Sequence, residues 1–332
     1  MEGHNGSLAS LAEAIGRHPA FLEKATIQRA YLPAQPVCGE ARLGDDAASL
    51  RLQGEAPPLL FASEGMLESF VARDPWFAGY SAVMVNVSDI AAMGGVPTAL
   101  TITLWTDHSE RSQPIWEGLR AASRAYGVPI VGGHTTRTAP GAPQHLAASI
   151  LGLAPGPQLT SFAARPGDLL LCAVDLRGDY RLDQPFFDAS TGQTPAALQS
   201  GLRLLPEVAR RGHAPAAKDI SNGGIVGTLA MLCATSKVGA DLHLDHLPQP
   251  AAVPLLRWLL TFPSYGFLLA VAPLHEAATL SLFQGHGIAC ATAGVFTDKP
   301  LLRLVSGHET APLPFSPAIE PGPGIPDRSV GS

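Results

Sequence analysis

The chain has 332 residues, of which 46% are hydrophobic and 15% are charged, a balance that favours folded domains and excludes global disorder. Lysine and arginine number 22 against 28 acidic residues, so the net charge is −6, and no basic run is present that would suit a nucleic-acid partner. Because a single core rarely grows past about 250–300 residues, the length favours two domains.

Two kinds of periodicity define the predicted elements of the first half. Helices are predicted where apolar residues recur every three to four positions: residues 7–15, 77–93 and 115–126. Strands are predicted in short apolar or alternating runs: residues 59–62, 99–105, 128–131 and 145–153. The first helix opens with a serine cap, and we expect it to cover part of the first domain.

A stretch rich in proline and small residues, 154–166, predicts a boundary, after which the pattern restarts. Strands are predicted over 168–174, 267–271 and 291–296, and helices over 196–211, 224–236 and 275–286. Both halves mix strands and helices without a fixed repeat, which predicts an α/β or α+β class. The predicted units are a domain over 1–155, a domain over 163–306 and a flexible tail over 311–332.

Cysteine spacing and targeting signals suggest a cytoplasmic protein. The four cysteines lie too far apart for a zinc site, so we expect buried thiols in a reducing compartment: Cys38, Cys172, Cys233 and Cys290. The N-terminus lacks the pattern of a signal peptide, and the longest apolar runs are about six residues, where a membrane helix needs roughly 20. We therefore predict no membrane contact.

Carboxylates beside small residues are the first candidates for chemistry. Asp45 and Asp46 are adjacent after Gly44, and since like charges repel, their burial would need a cation. Oxygen ligands of this kind suit magnesium that bridges phosphates, although a solvated turn is the alternative. Asp89 is a charge within an apolar helix, for which the alternative is a capped or ion-paired helix aspartate.

Two glycine-rich segments are the next candidates. Gly132 to Arg137 follows a short strand and offers glycines, hydroxyls and a cation suited to phosphate, with an ordinary turn as the alternative. Lys218 to Gly224 precedes a helix, where free backbone N–H groups can bind an anion, with a plain N-cap as the alternative. Since the chain has only four lysines, we expect a phosphate site to rely on metal, arginine and backbone amides.

These segments, in this order, resemble the superfamily of aminoimidazole ribonucleotide synthetase, which includes thiamine-monophosphate kinase, selenophosphate synthetase and a carbamoyl-dehydrating hydrogenase maturation factor. The stretch from Gly79 to Gly94 looks most like thiamine-monophosphate kinase, and GDDAA, YGVPIVGGHTTR and KDISNGG follow that family's spacing. The resemblance implies a two-domain PurM-like fold. It also implies a homodimer formed through the N-terminal domains, with ATP held in the cleft between the two domains of each chain.

The resemblance also assigns site residues. It implies that carboxylates coordinate Mg²⁺ on the phosphates of ATP: Asp45, Asp46, Glu64, Asp89 and Asp219. It implies that the nucleotide or phosphate path is lined by a second set: Asn86, Gly132, Gly133, His134, Thr135 and Arg137. The expected activity is transfer of the γ-phosphate of ATP to an oxygen of a small-molecule acceptor.

Departures from the kinase pattern keep two alternatives open. His134 and Asn222 stand where thiamine-monophosphate kinase has aspartates, which favours a non-catalytic nucleotide-binding scaffold. The Gly-Gly-His segment is shared with selenophosphate synthetase, whose reactive N-terminal cysteine is poorly matched by Cys38. The stretch from Asp175 to Asp188 is either a substrate loop or a solvated excursion.

Overall fold

The computed structural model describes residues 7–24, 44–51, 56–107 and 110–314. The strands of the first half are β1 (Ala48–Leu50), β2 (Leu59–Gly65), β3 (Val96–Thr106), β4 (Ile130–Arg137) and β5 (His145–Leu153). They form one sheet in the order β1-β2-β5-β3-β4, in which β3 and β4 are parallel and the other pairs are antiparallel.

Helices cover one face of this sheet. They are α2 (Glu68–Arg73), α3 (Pro75–Ala92) and α4 (Gln113–Tyr126), whereas the N-terminal helix α1 (Leu8–Arg17) lies on the second half of the chain. Helix α3 begins at Asp74, whose side chain accepts a hydrogen bond from the Phe77 N–H at 3.2 Å, and nearly all of its residues are buried. Such a helix, apolar all round, is the centre of the first core.

The second half contains a larger mixed sheet. Its strands are β6 (Leu169–Val174), β9 (Ala216–Asp219), β10 (Gly239–His243), β12 (Gly266–Val271), β13 (Ala289–Thr297), β14 (Leu302–Ser306) and β15 (Glu309–Leu313). The order is β15-β14-β10-β13-β6-β12-β9, so β9 is at one edge. A small sheet in the order β11-β8-β7 contains β7 (Asp179–Tyr180), β8 (Phe186–Asp188) and β11 (Phe262–Pro263).

Five α-helices belong to the second half of the described chain, and those over Gly224–Ser236 and Glu276–Gln284 contact the seven-stranded sheet. The five are α5 (Pro195–Leu202), α6 (Leu204–Arg210), α7 (Gly224–Ser236), α8 (Leu255–Leu259) and α9 (Glu276–Gln284). The single helix predicted over 196–211 is therefore two helices that meet at Arg203. The predicted α/β (α+β) class with two layers of secondary structure is confirmed.

Helix α1 packs on the second half of the chain. Its buried residues Leu8, Leu11 and Ile15 belong to the same core as strands β6 and β14. The prediction that this helix covers the first domain is therefore wrong. Ser7 caps the helix as predicted, since its side chain accepts a hydrogen bond from the Ser10 N–H.

Two predicted irregular stretches are folded. Strand β15 pairs with β14 and buries Ala311 and Leu313, so the predicted tail begins too early, and its remainder beyond 314 lies outside the described residues. The stretch from Asp175 to Asp188 contains β7 and β8 and buries Phe187, so it is not a solvated excursion. No helix in the described ranges is long and apolar enough to cross a membrane.

Candidate functional site

Carboxylates from both halves come close together where the two halves meet. Asp45 and Asp46 precede β1, Glu64 lies near the end of β2, Asp89 lies in the last turn of α3, and Asp219 ends β9. These five residues are called the carboxylate cluster below. The charge of Asp46 acts to raise the pKa of each of the other four, which shows that the five carboxyl groups interact electrostatically.

An ion pair between Asp46 and Lys218 connects the halves. The ammonium of Lys218 contacts Asp46 Oδ1, and both side chains are almost fully buried. The other oxygen, Oδ2, accepts a hydrogen bond from the backbone N–H of Asp219 at 3.2 Å. Burial alone would lower the pKa of Lys218, but Asp46 and Asp219 outweigh it and hold this pKa above its ordinary value. Lys218 therefore stays charged.

The other carboxyls resist ionisation. Burial, followed by the charge of Asp46, raises the pKa of Asp45 to about 6, although the Ser161 N–H donates to its Oδ1 at 2.8 Å. Burial, again followed by Asp46, raises the pKa of Asp219 to about 8. Burial also raises the pKa of Glu64, while the charge of Lys24 acts to lower it. Additional positive charge would be needed to ionise the whole carboxylate cluster.

Among the five carboxylates, Asp89 has the contacts that fit a cation best. Its Oδ2 atom is buried without a hydrogen-bond donor, and so is Oδ1 of Asn86, one turn earlier on the same face of α3. Burial, then the charges of Asp219 and Glu64, raise the pKa of Asp89 well above its usual value. Acceptor oxygens without donors suit a hard cation such as Mg²⁺, so the residues present fit this metal.

The described carboxylates do not form a ready-made metal centre. Within residues 7–24, 44–51, 56–107 and 110–314, no three His, Cys, Asp or Glu side chains lie in an arrangement that could hold a metal ion. In addition, both oxygens of Asp46 are already engaged, by Lys218 and by the Asp219 N–H. A cation would have to change these contacts.

Two lysines reach the site, which sequence reasoning did not foresee. Lys24 is buried and its Nζ donates to Ser221 Oγ at 2.9 Å, while the nearby Glu23 accepts a longer bond from the Asn222 amide at 3.4 Å. The segment after α1 thus contacts the loop that follows Asp219. The expectation that a phosphate site would rely on metal, arginine and backbone amides stays a prediction, with these two lysines as further candidates. Lys218 lay within a motif already selected, whereas nothing local in the sequence marks Lys24.

The net pKa shift of Lys24 is opposite in direction to that of Lys218. Burial, followed by the charge of Lys218, lowers the pKa of Lys24, and the carboxylates Asp219 and Asp46 act against this change. Its stem lies against the glycine turn, since a Cβ added at Gly223 would be 3.3 Å from Lys24 Cγ and 2.9 Å from the Ala20 carbonyl oxygen. Gly223 also has a φ of +87°, which favours glycine.

The predicted nucleotide-lining residues on β4 lie elsewhere. They belong to the strand itself, and not to a loop after it, at the edge opposite β1: Gly132, Gly133, His134, Thr135 and Arg137. Three strand spacings, about 14 Å, separate β4 from β2 with Glu64. His134 pairs with Thr103 and therefore faces away from α3. At that spacing these five residues do not contact Glu64, and their contact with a nucleotide stays a prediction.

Two of the predicted nucleotide-lining residues, Asn86 and Gly133, have a packing role in the structure. Asn86 is fully buried, and its Nδ2 donates to the carbonyl oxygens of Ala82 and Ala148, which fastens α3 to β5. Gly133 has a φ of +143°, and a Cβ there would lie 1.9 Å from the Ile102 carbonyl oxygen, so its close pairing with β3 requires glycine. Their contact with a nucleotide stays a prediction.

Comparison with known proteins identifies the family. The model for the N-terminal domain of AIR synthase related proteins matches residues 44–154, and the model for the C-terminal domain matches residues 177–306. The chain belongs to the AIR synthase-related family. An uncharacterised Synechocystis protein is 44% identical over 82% of this chain and 84% of its own length. Thiamine-monophosphate kinase of Synechococcus elongatus is 27% identical over 81% of this chain and 88% of its own length.

Solved structures confirm the predicted PurM-like fold. T. maritima PurL complexed with ATP aligns with a TM-score of 0.67 and 20% identity, covering 92% of this chain and 53% of PurL. AaThiL complexed with AMPPCP and TMP aligns with a TM-score of 0.61 and 18% identity, covering 85% of this chain and 91% of AaThiL. This AIR synthase-related chain thus spans about half of the length of PurL, and its family includes ATP-utilising members.

Proposed function

We propose that this protein is an ATP- and Mg²⁺-dependent phosphotransferase that moves the γ-phosphate of ATP to an oxygen of a small-molecule acceptor. The main observation in support is the carboxylate cluster between the two halves, in which Asp89 Oδ2 is buried without a hydrogen-bond donor. The similarity to thiamine-monophosphate kinase, and the nucleotide in the complexes of related fold, support the same conclusion.

The residues of the cluster would hold Mg²⁺ through carboxylate oxygens, chiefly Asp46, Asp89 and Asp219. Bound Mg²⁺ neutralises charge on the phosphates during transfer. Lys24 and Lys218 add ammonium groups beside these carboxylates, and an ammonium binds phosphate as a point charge. Because the carboxylates come from both halves, the reacting phosphate would be held where the halves meet.

Calorimetry tests the binding step. Wild type should bind AMPPCP in the presence of Mg²⁺, and Asp89→Asn should lose most of this heat because an amide is a poorer ligand for Mg²⁺ than a carboxylate. Asp183→Asn is the matched control, since the Asp183 side chain is 99% exposed. No binding by wild type, or equal binding by Asp89→Asn, would contradict the proposal.

A panel of small hydroxyl, phosphate and carboxylate compounds tests turnover. ADP release that depends on one compound supports the phosphotransferase and rejects the scaffold alternative. The scaffold alternative is favoured by the placement of His134 on the outer side of the sheet and of Asn222 against Glu23. Nucleotide binding without ADP release from any compound would support the scaffold.

The selenophosphate alternative depends on a cysteine that lies outside the described residues, Cys38. It predicts that Cys38→Ser abolishes activity with selenide, whereas the phosphotransferase predicts no effect on ADP release. A cytoplasmic location stays a prediction from the sequence.

A homodimer is the second part of the proposal. The face of the first sheet that points away from α3 carries an apolar patch in which Phe61, Val96 and Leu153 are 45%, 47% and 37% exposed. Apolar side chains exposed side by side on a sheet suit a second copy of the chain. Light scattering should give the mass of a dimer for wild type and of a monomer for Phe61→Asp. A monomeric wild type would contradict this part.

A further inference from the structure

Lys218 is the cation in direct contact with the carboxylate cluster. It is 3% exposed, its ammonium contacts Asp46, and strand β9 fixes its backbone at the edge of the second sheet. Its charge also favours the ionised form of all four other members of the cluster: Asp45, Glu64, Asp89 and Asp219. One ammonium therefore stabilises negative charge throughout the carboxylate cluster, as a bound metal ion would.

The contacts of Asp46 leave neither of its oxygens free for a metal ion. Oδ1 is paired with Lys218, and Oδ2 accepts from the Asp219 N–H at 3.2 Å. Asp89 Oδ2 has no donor, yet no described set of three carboxylates is arranged to hold a metal. Asp46 can contribute a free oxygen to a cation only after the ammonium of Lys218 has moved.

We propose that Lys218 competes with the metal ion for Asp46. The metal then binds tightly only together with a polyphosphate, which pairs with the Lys218 ammonium in place of Asp46. This inference rests on the proposed function, because it assigns a residue of the same site the role of coupling metal binding to nucleotide binding. Lys218 is thereby a positioning residue. It acts on the metal through Asp46.

The exchange is balanced in charge. A divalent cation takes the Asp46 oxygen that Lys218 leaves, and Lys218 pairs with a phosphate oxygen of the incoming nucleotide. The four-carbon stem of lysine allows this movement without a change of backbone, and its ammonium binds carboxylate or phosphate. Neither charge is left unpaired in the buried site, which would be costly.

Mn²⁺ binding to the full-length protein without nucleotide tests the competition, with free Mn²⁺ measured by its electron paramagnetic resonance signal. Lys218→Met should bind Mn²⁺ at least tenfold more tightly than wild type. Lys24→Met is the matched variant, because Lys24 acts on the same carboxylates but donates to Ser221 and not to Asp46. Its removal should tighten Mn²⁺ binding less than threefold. Equal gains in Mn²⁺ affinity in the two variants would mean that any loss of positive charge near the site has this effect, and would overturn the proposal.

Two further variants address folding and direct contact. Lys218→Arg keeps a cation beside Asp46, so its Mn²⁺ affinity should stay near that of wild type, and tight binding would contradict the competition. Asp46→Asn combined with Lys218→Met removes both partners, so the tenfold gain should disappear. Persistence of the gain would show that Asp46 is not the contested ligand. Circular dichroism confirms that each variant is folded, and if Lys218→Met is not, Lys218→Gln takes its place.

Adding AMPPCP separates this inference from the proposed function. In wild type, AMPPCP should tighten Mn²⁺ binding at least tenfold, and in Lys218→Met it should do so much less, because the competitor is already absent. Failure of wild type to bind AMPPCP with metal overturns the proposed function. Normal AMPPCP binding with equal Mn²⁺ affinity in wild type and Lys218→Met overturns this inference alone.

Discussion

Replacing Asp89 with asparagine should stabilise the metal-free protein while it removes the metal-dependent function. The Oδ2 atom of Asp89 is buried without a donor, beside Asp219, Glu64 and Asp46. A buried polar atom without a partner costs about 1–3 kcal/mol, and the asparagine amide supplies a donor toward these carboxylates. The free energy of unfolding in EDTA should therefore rise by about 1–3 kcal/mol near pH 8.

The gain should depend on pH in a defined direction. Since the folded-state pKa of Asp89 is raised, its contribution to stability is fully present below the unfolded pKa and is lost as pH rises through the folded value. Asparagine does not titrate. The difference between Asp89→Asn and wild type should therefore grow from pH 4 upward, by at most about 1.4 kcal/mol per pH unit.

Urea titrations in EDTA, at several pH values, measure this difference. Asp183→Asn should stay within about 0.5 kcal/mol of wild type, because its side chain is exposed. Mg²⁺ with AMPPCP at 100 times the dissociation constant should stabilise wild type by about 2.7 kcal/mol and Asp89→Asn by far less. A loss of stability in Asp89→Asn, or a difference that shrinks as pH rises, would refute the reasoning.

Three further outcomes are expected from the packing of the described residues. Gly118→Ala should lower the free energy of unfolding by about 1–3 kcal/mol, because its Cβ would lie 1.9 Å from a carbonyl oxygen of α3. Gly192→Ala is the control, since a Cβ there meets open space and should change this free energy little. Urea titration compares the two variants. Arg181→Ala should lower the free energy of unfolding by about 1–2 kcal/mol in the same titration, since it removes two hydrogen bonds, at 2.8 and 3.0 Å, to Asp74, the carboxylate that caps α3. Cys172 and Cys290 should react with maleimide only as fast as the protein unfolds, because burial raises their thiol pKa values, that of Cys290 to about 12; peptide mass spectrometry would show faster labelling if this is wrong.

Local patterns predicted the parts of this fold that depend on short segments. The buried helix that carries Asp89 lies where the apolar run and its glycine stop placed it, and Ser7 caps α1 as its sequence suggested. The grouping of Asp46, Asp89 and Asp219 came from a resemblance between motifs and not from periodicity. Their individual roles as metal ligands stay predictions.

The features that the sequence could not predict all depend on contacts between distant residues. Lys24 and Ser221 are 197 positions apart, and no pattern near Lys24 signals their hydrogen bond. The orientation of His134 depends on the pairing of β4 with β3, which fixes the face to which each side chain points. The resemblance assigned Asn86 to the nucleotide path, and only the structure shows that its Nδ2 also connects α3 to β5.

The packing of α1 on the last described strand has a consequence for how the protein is made. A Cβ added at Gly16 would lie 2.4 Å from Pro314, so the first helix and the segment after β15 touch. During synthesis, α1 leaves the ribosome long before β15 exists, so its apolar face stays uncovered until a strand about 300 residues later has been made. Lys24 follows this helix, and its contact with Ser221 likewise waits for a residue 197 positions further along the chain.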